Sequence, residues 1–134
     1  MSQILILDDE IPLLQSLSLE LGRGGHRCIP AETGAEALRI IKNESIDMAI
    51  LDVQLPDIDG LEVLRSLRAE LPEVPVLMVT AFASVDSAVE AMKEGAYDFL
   101  TKPLDKDHLL IVIRKALERD SLKRQVAYLR SEVD

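Results

Sequence analysis

The sequence predicts an α/β fold built from five strand–helix units, (βα)5, arranged as a doubly wound, five-stranded parallel sheet. Three observations carry this. Short apolar runs recur at Ile4–Leu7, Met48–Leu51, Val76–Val79 and Tyr97–Leu100, with a weaker one near His26–Ile29. Several lack polar alternation, as expected of strands buried on both faces. The segments between the runs carry helical spacing instead, and strand–helix alternation demands right-handed crossovers around a parallel sheet.

Taken in order, the helical segments justify themselves by their apolar faces and their ends. Leu14, Leu17 and Leu21 share one face; so do Leu64, Leu67 and Leu71, and so do Val85, Val89 and Met92. Thr33 with Glu36 fits a capping box, and Asp59 with Glu62 is a similar acidic start. Gly95 fits a helix-terminating glycine before the last strand. The last helix begins near Asp105, a fitting N-cap, and presents Leu109, Leu110, Val112, Ile113, Ala116 and Leu117 to the domain. Its apolar pattern then narrows to Leu122, Val126, Leu129 and Val133, spaced as a short coiled-coil seam. This divides the chain into a domain over 1–118 and a helical extension over 119–134. No Gly or Pro ends that helix, which points to a further domain beyond it.

The 134 residues suffice for one domain with a proper core. With 48% apolar residues and only 3% aromatic ones, that core is aliphatic. No apolar run approaches membrane-spanning length. The first run is too short, and lacks the cationic start, for a signal peptide. The single cysteine, Cys28, excludes an intramolecular disulfide framework and a cysteine zinc cluster. A cytoplasmic protein is the expectation. The net charge of −9 is unevenly spread, since residues 105–134 hold seven Lys or Arg against six Asp or Glu. The acidic remainder lacks the cations that nucleic-acid phosphates require. It suits a bound cation or a basic partner surface.

In an open parallel sheet, ligands sit beyond the carboxyl ends of the strands. There the sequence places Asp8-Asp9-Glu10 after the first run, Asp52 at the end of the third, Thr80 after the fourth and Lys102-Pro103 after the fifth. Each has a plainer explanation alone: a helix cap, a turn residue, a loop hydroxyl, a solvated amine. Together they are coherent chemistry. Three carboxylates in one cleft repel one another, and a hard divalent cation such as Mg2+ relieves that. Asp52 could then attack phosphorus to become an aspartyl phosphate. Mg2+, Thr80 and Lys102 would neutralise the phosphoryl oxygens.

Asp8-Asp9, the segment Asp52-Val53-Gln54-Leu55-Pro56-Asp57-Ile58-Asp59-Gly60, Thr80-Ala81 and Lys102-Pro103 resemble the response regulator receiver domains of two-component signalling. The resemblance spans nearly all of residues 3–118 and is specific because every piece occurs in order. It implies the flavodoxin-like receiver fold with strand order 2-1-3-4-5. It implies Asp52 as phosphoacceptor from a sensor histidine kinase. It also implies Asp9 as a direct Mg2+ ligand, Asp8 as one acting largely through water, and the Gln54 backbone carbonyl as the third protein ligand. Thr80 and Lys102 match the phosphate-contacting pair, and the Lys102–Pro103 bond matches a cis peptide. Phe99 matches a switch aromatic that follows Thr80 when Thr80 moves toward the phosphoryl group; its plainer role is core packing, and Ala81 leaves room for the movement. Gln54 and Phe82 flank the site as candidates for tuning hydrolysis of the phosphoryl bond.

The stretch from Thr80 to Pro103 is similar to the NtrC-like subfamily. That resemblance implies a helical linker leading to an AAA+ ATPase that activates sigma-54 polymerase, then to a DNA-binding domain, with a homodimer through the extension. The chain itself has no P-loop motif and no recognition helix, so beyond its own phosphorylation and dephosphorylation no enzymatic activity is expected of it. Rival readings are a stand-alone receiver acting by protein contact, a flavin binder of the same fold and an Asp-nucleophile phosphatase. The flavin reading meets an acidic first loop, and the phosphatase reading meets Gln54 where a second Asp is needed.

Overall fold

The computed structural model of the protein describes residues 2–81 and 84–133, with side chains through Arg119. Five strands, β1 (Gln3–Leu7), β2 (Arg27–Ala31), β3 (Met48–Asp52), β4 (Val76–Thr80) and β5 (Asp98–Thr101), alternate with five helices. These are α1 (Ile11–Arg23), α2 (Gly34–Asn43), α3 (Gly60–Glu70), α4 (Val85–Lys93) and α5 (Lys106–Val133). The strands form one parallel sheet in the order β2-β1-β3-β4-β5. The weak second run becomes an edge strand shifted slightly along the chain. Its Pro30, opposite Ile6, is tolerable there because an edge strand need not donate on both sides.

The strand period of two sorts each run onto two cores. Leu5, Leu7, Ala49, Leu51, Val76 and Met78 face α2, α3 and α4. Ile4, Ile6, Met48, Ile50, Leu77 and Val79 face α1 and α5. Both sets are almost fully removed from water, and each such side chain contributes about 1.5–3 kcal/mol. Leu14, Leu17 and Leu21 of α1, and Leu109, Val112, Ile113 and Ala116 of α5, complete the second core as their spacing predicts.

The helix ends follow the sequence with one difference in detail. Thr33 accepts from the Glu36 amide at 3.2 Å, but the Glu36 carboxylate turns to the Glu32 amide, so the capping box is half formed. Asp59 caps α3 through Leu61, and Asp105 caps α5 through Asp107 and His108. Gly95, at φ +99°, closes α4. α4 itself departs from expectation. Val85, Val89 and Met92 do share a stripe, but they are 79%, 46% and 47% exposed, and Ala91 is the helix's buried contact. Spacing reveals a stripe without saying which side meets the sheet. α5 runs unbroken from Lys106 to Val133. The side chains of Leu122, Val126, Leu129 and Val133, and all of Phe82, lie outside the described residues. Among the described residues no helix is long and apolar enough to cross a membrane.

Gly60 opens α3 directly beneath the end of β3. A Cβ there would run into the Asp52 carbonyl and lie 2.8 Å from the Val53 Cα, both backbone atoms that cannot turn aside. Gly60→Ala should therefore cost on the order of 3 kcal/mol, read as a lower urea midpoint. A midpoint within error of the wild type would mean that the strand end yields.

Candidate functional site

Parallel pairing brings the strand ends out on one rim. Leu7 pairs with Leu51, Asp52 with Val79, and Thr80 with Thr101. The residues at or just after these pairs are Asp8, Asp52, Thr80 and Lys102. The Lys102 Nζ lies 2.7 Å from Asp8 Oδ2, 3.1 Å from Asp52 Oδ2 and 3.4 Å from Glu10 Oε2. Asp8 and Asp52 are buried, and the lysine side chain is 10% exposed. The second oxygen of each buried carboxylate is fixed by a short turn. Asp8 Oδ1 accepts from the Glu10 amide at 2.9 Å, and Asp52 Oδ1 from the Gln54 amide at 3.0 Å. Asp9 is exposed at the mouth, and one oxygen each from Asp8, Asp9 and Asp52 falls within 4.8 Å of the others.

At that separation, unit charges interact by about 3 kcal/mol at an effective dielectric of ~20. One ammonium cannot balance four carboxylates. Burial pushes the Asp52 carboxyl above the usual carboxylate range, and the charge on Asp8 adds to this, against the pull of the Gln54 amide and Lys102. Burial also opposes the charge on Lys102, but hydrogen bonds to Asp8 and Asp52 outweigh it and hold the amine above its ordinary value. The donors are all oxygen and carry excess negative charge, which fits a hard divalent cation.

The structure thus brings Asp8, Asp9, Asp52 and Lys102 together, as the sequence predicts. Thr80 is buried at the end of β4, and its carbonyl accepts from the Lys102 amide at 2.9 Å. The Lys102–Pro103 peptide is cis. Phe99 is partly buried against the first core, opposite Met78, while Ala81 and Gln54 are exposed.

Three residues make contacts that the sequence reading does not assign to them. Glu10 shares Lys102 with the two aspartates. Asp57 accepts from the amides of Gly34 and Ala35 at 2.9 and 3.0 Å, which hold its carboxyl below the ordinary value. Arg65 joins α3 to Glu90 and Glu94 of α4 at 3.1 and 3.2 Å. Only Glu10 had a local signal, its place in the acidic run.

The Asp52 shift has a definite sign. A carboxyl whose folded value is raised contributes stability that is full below its unfolded value and is lost as pH rises through the folded one. At neutral pH its charge therefore opposes folding. Asp52→Asn should raise Tm by several degrees in neutral, metal-free buffer; a Tm at or below that of the wild type would refute the crowding.

Residues 4–114 match the family of the response regulator receiver domain. The transcriptional regulatory protein GlrR of Escherichia coli K12 is 38% identical over 120 residues, covering 90% of this chain and 27% of GlrR. The chain thus spans about a quarter of that relative. A CheY-like receiver domain protein from Methanospirillum hungatei superposes with a TM-score of 0.90 at 32% identity, covering 92% of this chain and 98% of that one. The beryllofluoride-activated NtrC4 receiver domain, solved as a dimer, gives 0.85 at 37% identity over 90% of this chain and 99% of its own. With the strand order, the acidic rim and these likenesses in agreement, the chain belongs to the response regulator receiver domains of two-component signalling.

Proposed function

We propose that this domain accepts a phosphoryl group on Asp52 and passes the change in charge to an output domain. The observation that carries the reading is the ammonium of Lys102 set between Asp8 and Asp52, in a rim whose carboxylates still outnumber it. An Asp52 oxygen attacks phosphorus, and the P–N bond to a histidine of the sensor kinase breaks. That nitrogen leaves with the bonding electrons, and the ring, protonated at its other nitrogen, departs as neutral imidazole while Asp52 becomes an acyl phosphate. Lys102 shifts its ion pairing toward the phosphoryl oxygens, and the Thr80 hydroxyl turns to them. Asp8, Asp9, Asp52 and the Gln54 carbonyl would hold Mg2+, which would supply the positive charge that lets an anionic donor approach. The domain then acts as a switch and not as a turnover catalyst.

The switch runs through Thr80, with Ala81 leaving space and Phe99 following into it, and it shifts the population of α4, β5 and α5 arrangements. The exposed stripe of Val85, Val89 and Met92 gives that shift a surface on which to be read. In the full-length protein the output is an AAA+ ATPase of the sigma-54 activator type with a DNA-binding domain, in the cytoplasm. Two findings support this over a stand-alone receiver: GlrR is a transcriptional regulator about four times as long as the match, and α5 runs on to Val133 from Leu117, its last core contact among the described residues. The homodimer forms through Leu122, Val126, Leu129 and Val133, and residues 119–134 act as the linker.

With Mg2+ and acetyl phosphate the chain should gain the mass of one phosphoryl group, labile to base. Asp52→Asn should gain none, and Lys102→Ala should react about a hundredfold more slowly. Equal labelling of Asp52→Asn overturns the assignment. In sedimentation, beryllofluoride with Mg2+ should change the monomer–dimer balance. Replacing Leu122 and Leu129 by lysine should abolish the dimer while sparing labelling; a dimer that survives both changes lies elsewhere.

A further inference from the structure

The segment between β3 and α3, residues 53–59, carries Gln54, whose carbonyl is proposed above to hold Mg2+. Its start is tied to the end of β3, and the first residue of α3 closes the segment back onto its own first residue. The Gln54 amide donates to Asp52 Oδ1 at 3.0 Å, and the Gly60 amide donates to the Val53 carbonyl at 2.9 Å. Its middle reaches across to a different element. Asp57 Oδ1 accepts from the Gly34 amide at 2.9 Å and Oδ2 from the Ala35 amide at 3.0 Å.

Two acceptors on two adjacent amides fix the rotation of the carboxylate, and the positive end of α2 favours its charge. α2 already has a cap of its own, since Thr33 takes the Glu36 amide. Asp57 therefore serves the two amides that Thr33 leaves, and it does so from the other side of the loop. Gly34 makes the approach possible: a Cβ there would collide with the Ile58 side chain and sit 3.3 Å from Asp57 Oδ1.

We propose that Asp57 is a positioning residue for the cation site, bolting the 53–59 loop to the start of α2 so that the Gln54 carbonyl is in place before the ion arrives. The proposal rests on the Mg2+ reading above. Nothing in it requires Asp57 to touch the ion. Order that the loop has already acquired in folding need not be acquired on binding, so the bolt appears as cation affinity. Groups that orient metal ligands from behind typically change affinity by about tenfold or more when removed.

Calorimetric titration of Mg2+ into the 134-residue chain tests this, alongside Tm for each variant. Asp57→Ala should weaken Mg2+ binding about tenfold. Asp57→Asn, which keeps one acceptor and the side-chain shape, should recover most of the loss. Thr33→Ala is the control: it strips α2 of its other cap and lowers Tm, yet should leave Mg2+ affinity unchanged. Gly34→Ala, which drives Ile58 off the helix, should weaken binding as Asp57→Ala does. The proposal is overturned if Asp57→Ala binds Mg2+ as the wild type does, or if Thr33→Ala weakens binding as much as Asp57→Ala. Wild-type protein that takes up no Mg2+ at all would remove the cation reading itself, an outcome distinct from either.

Discussion

The ammonium of Lys102 lies within 3.4 Å of three carboxylates, and the sheet beneath leaves two of them no room to withdraw. Asp8 continues β1 and Asp52 ends β3, at the centre of a sheet whose neighbouring residues are inaccessible to water. The mutual repulsion is therefore relieved by charge and not by movement. A lysine, a proton on Asp52 or an added cation each does so to a different extent. Repulsions of about 3 kcal/mol per pair are small beside the summed burial of two aliphatic cores, so the fold tolerates them. What the fold tolerates at rest is what the proposed chemistry would use, an electron-rich carboxylate held beside a fixed cation.

The rest of the architecture serves to hold that rim still. Parallel pairing delivers four strand ends at one level, and the crossover helices cover both faces so that every strand can be apolar along its length. Two glycines then allow close approach where a side chain would not fit. Gly60 brings α3 under the end of β3, backbone against backbone, and Gly34 lets the Ile58 side chain of the 53–59 loop lie against α2.

Much of this was legible in the residues alone, and the pattern of success has a physical cause. Strands and the helix faces of α1, α3 and α5 were readable because burial imposes a period on neighbouring residues. Asp8, Asp9, Asp52 and Lys102 were readable because a parallel sheet converts three separate strand ends into one place. Asp57 and Arg65 were not, because their partners lie 22 or more residues away on other helices and leave no local trace. Val85, Val89 and Met92 were half readable: the periodicity marks a stripe, but its direction is decided by which side can approach β5, and the small Ala91 approaches best.

That orientation bears on how a charge at Asp52 reaches the surface. α1 and α5 each anchor three or more large or branched side chains in a core, whereas α4 buries one alanine. Its other described restraints include the ion pairs from Arg65 to Glu90 and Glu94, between side chains about one-third to one-half exposed. Pairs of that kind contribute roughly 0–1 kcal/mol. A helix so lightly fastened has alternatives close in free energy, and a change of one or two charges at the end of the adjoining strand is large on that scale. In the proposed switch α4 is thus the element that yields most readily, while α1, α3 and the central strands stay fixed, and its apolar stripe is exposed in the very helix that can shift.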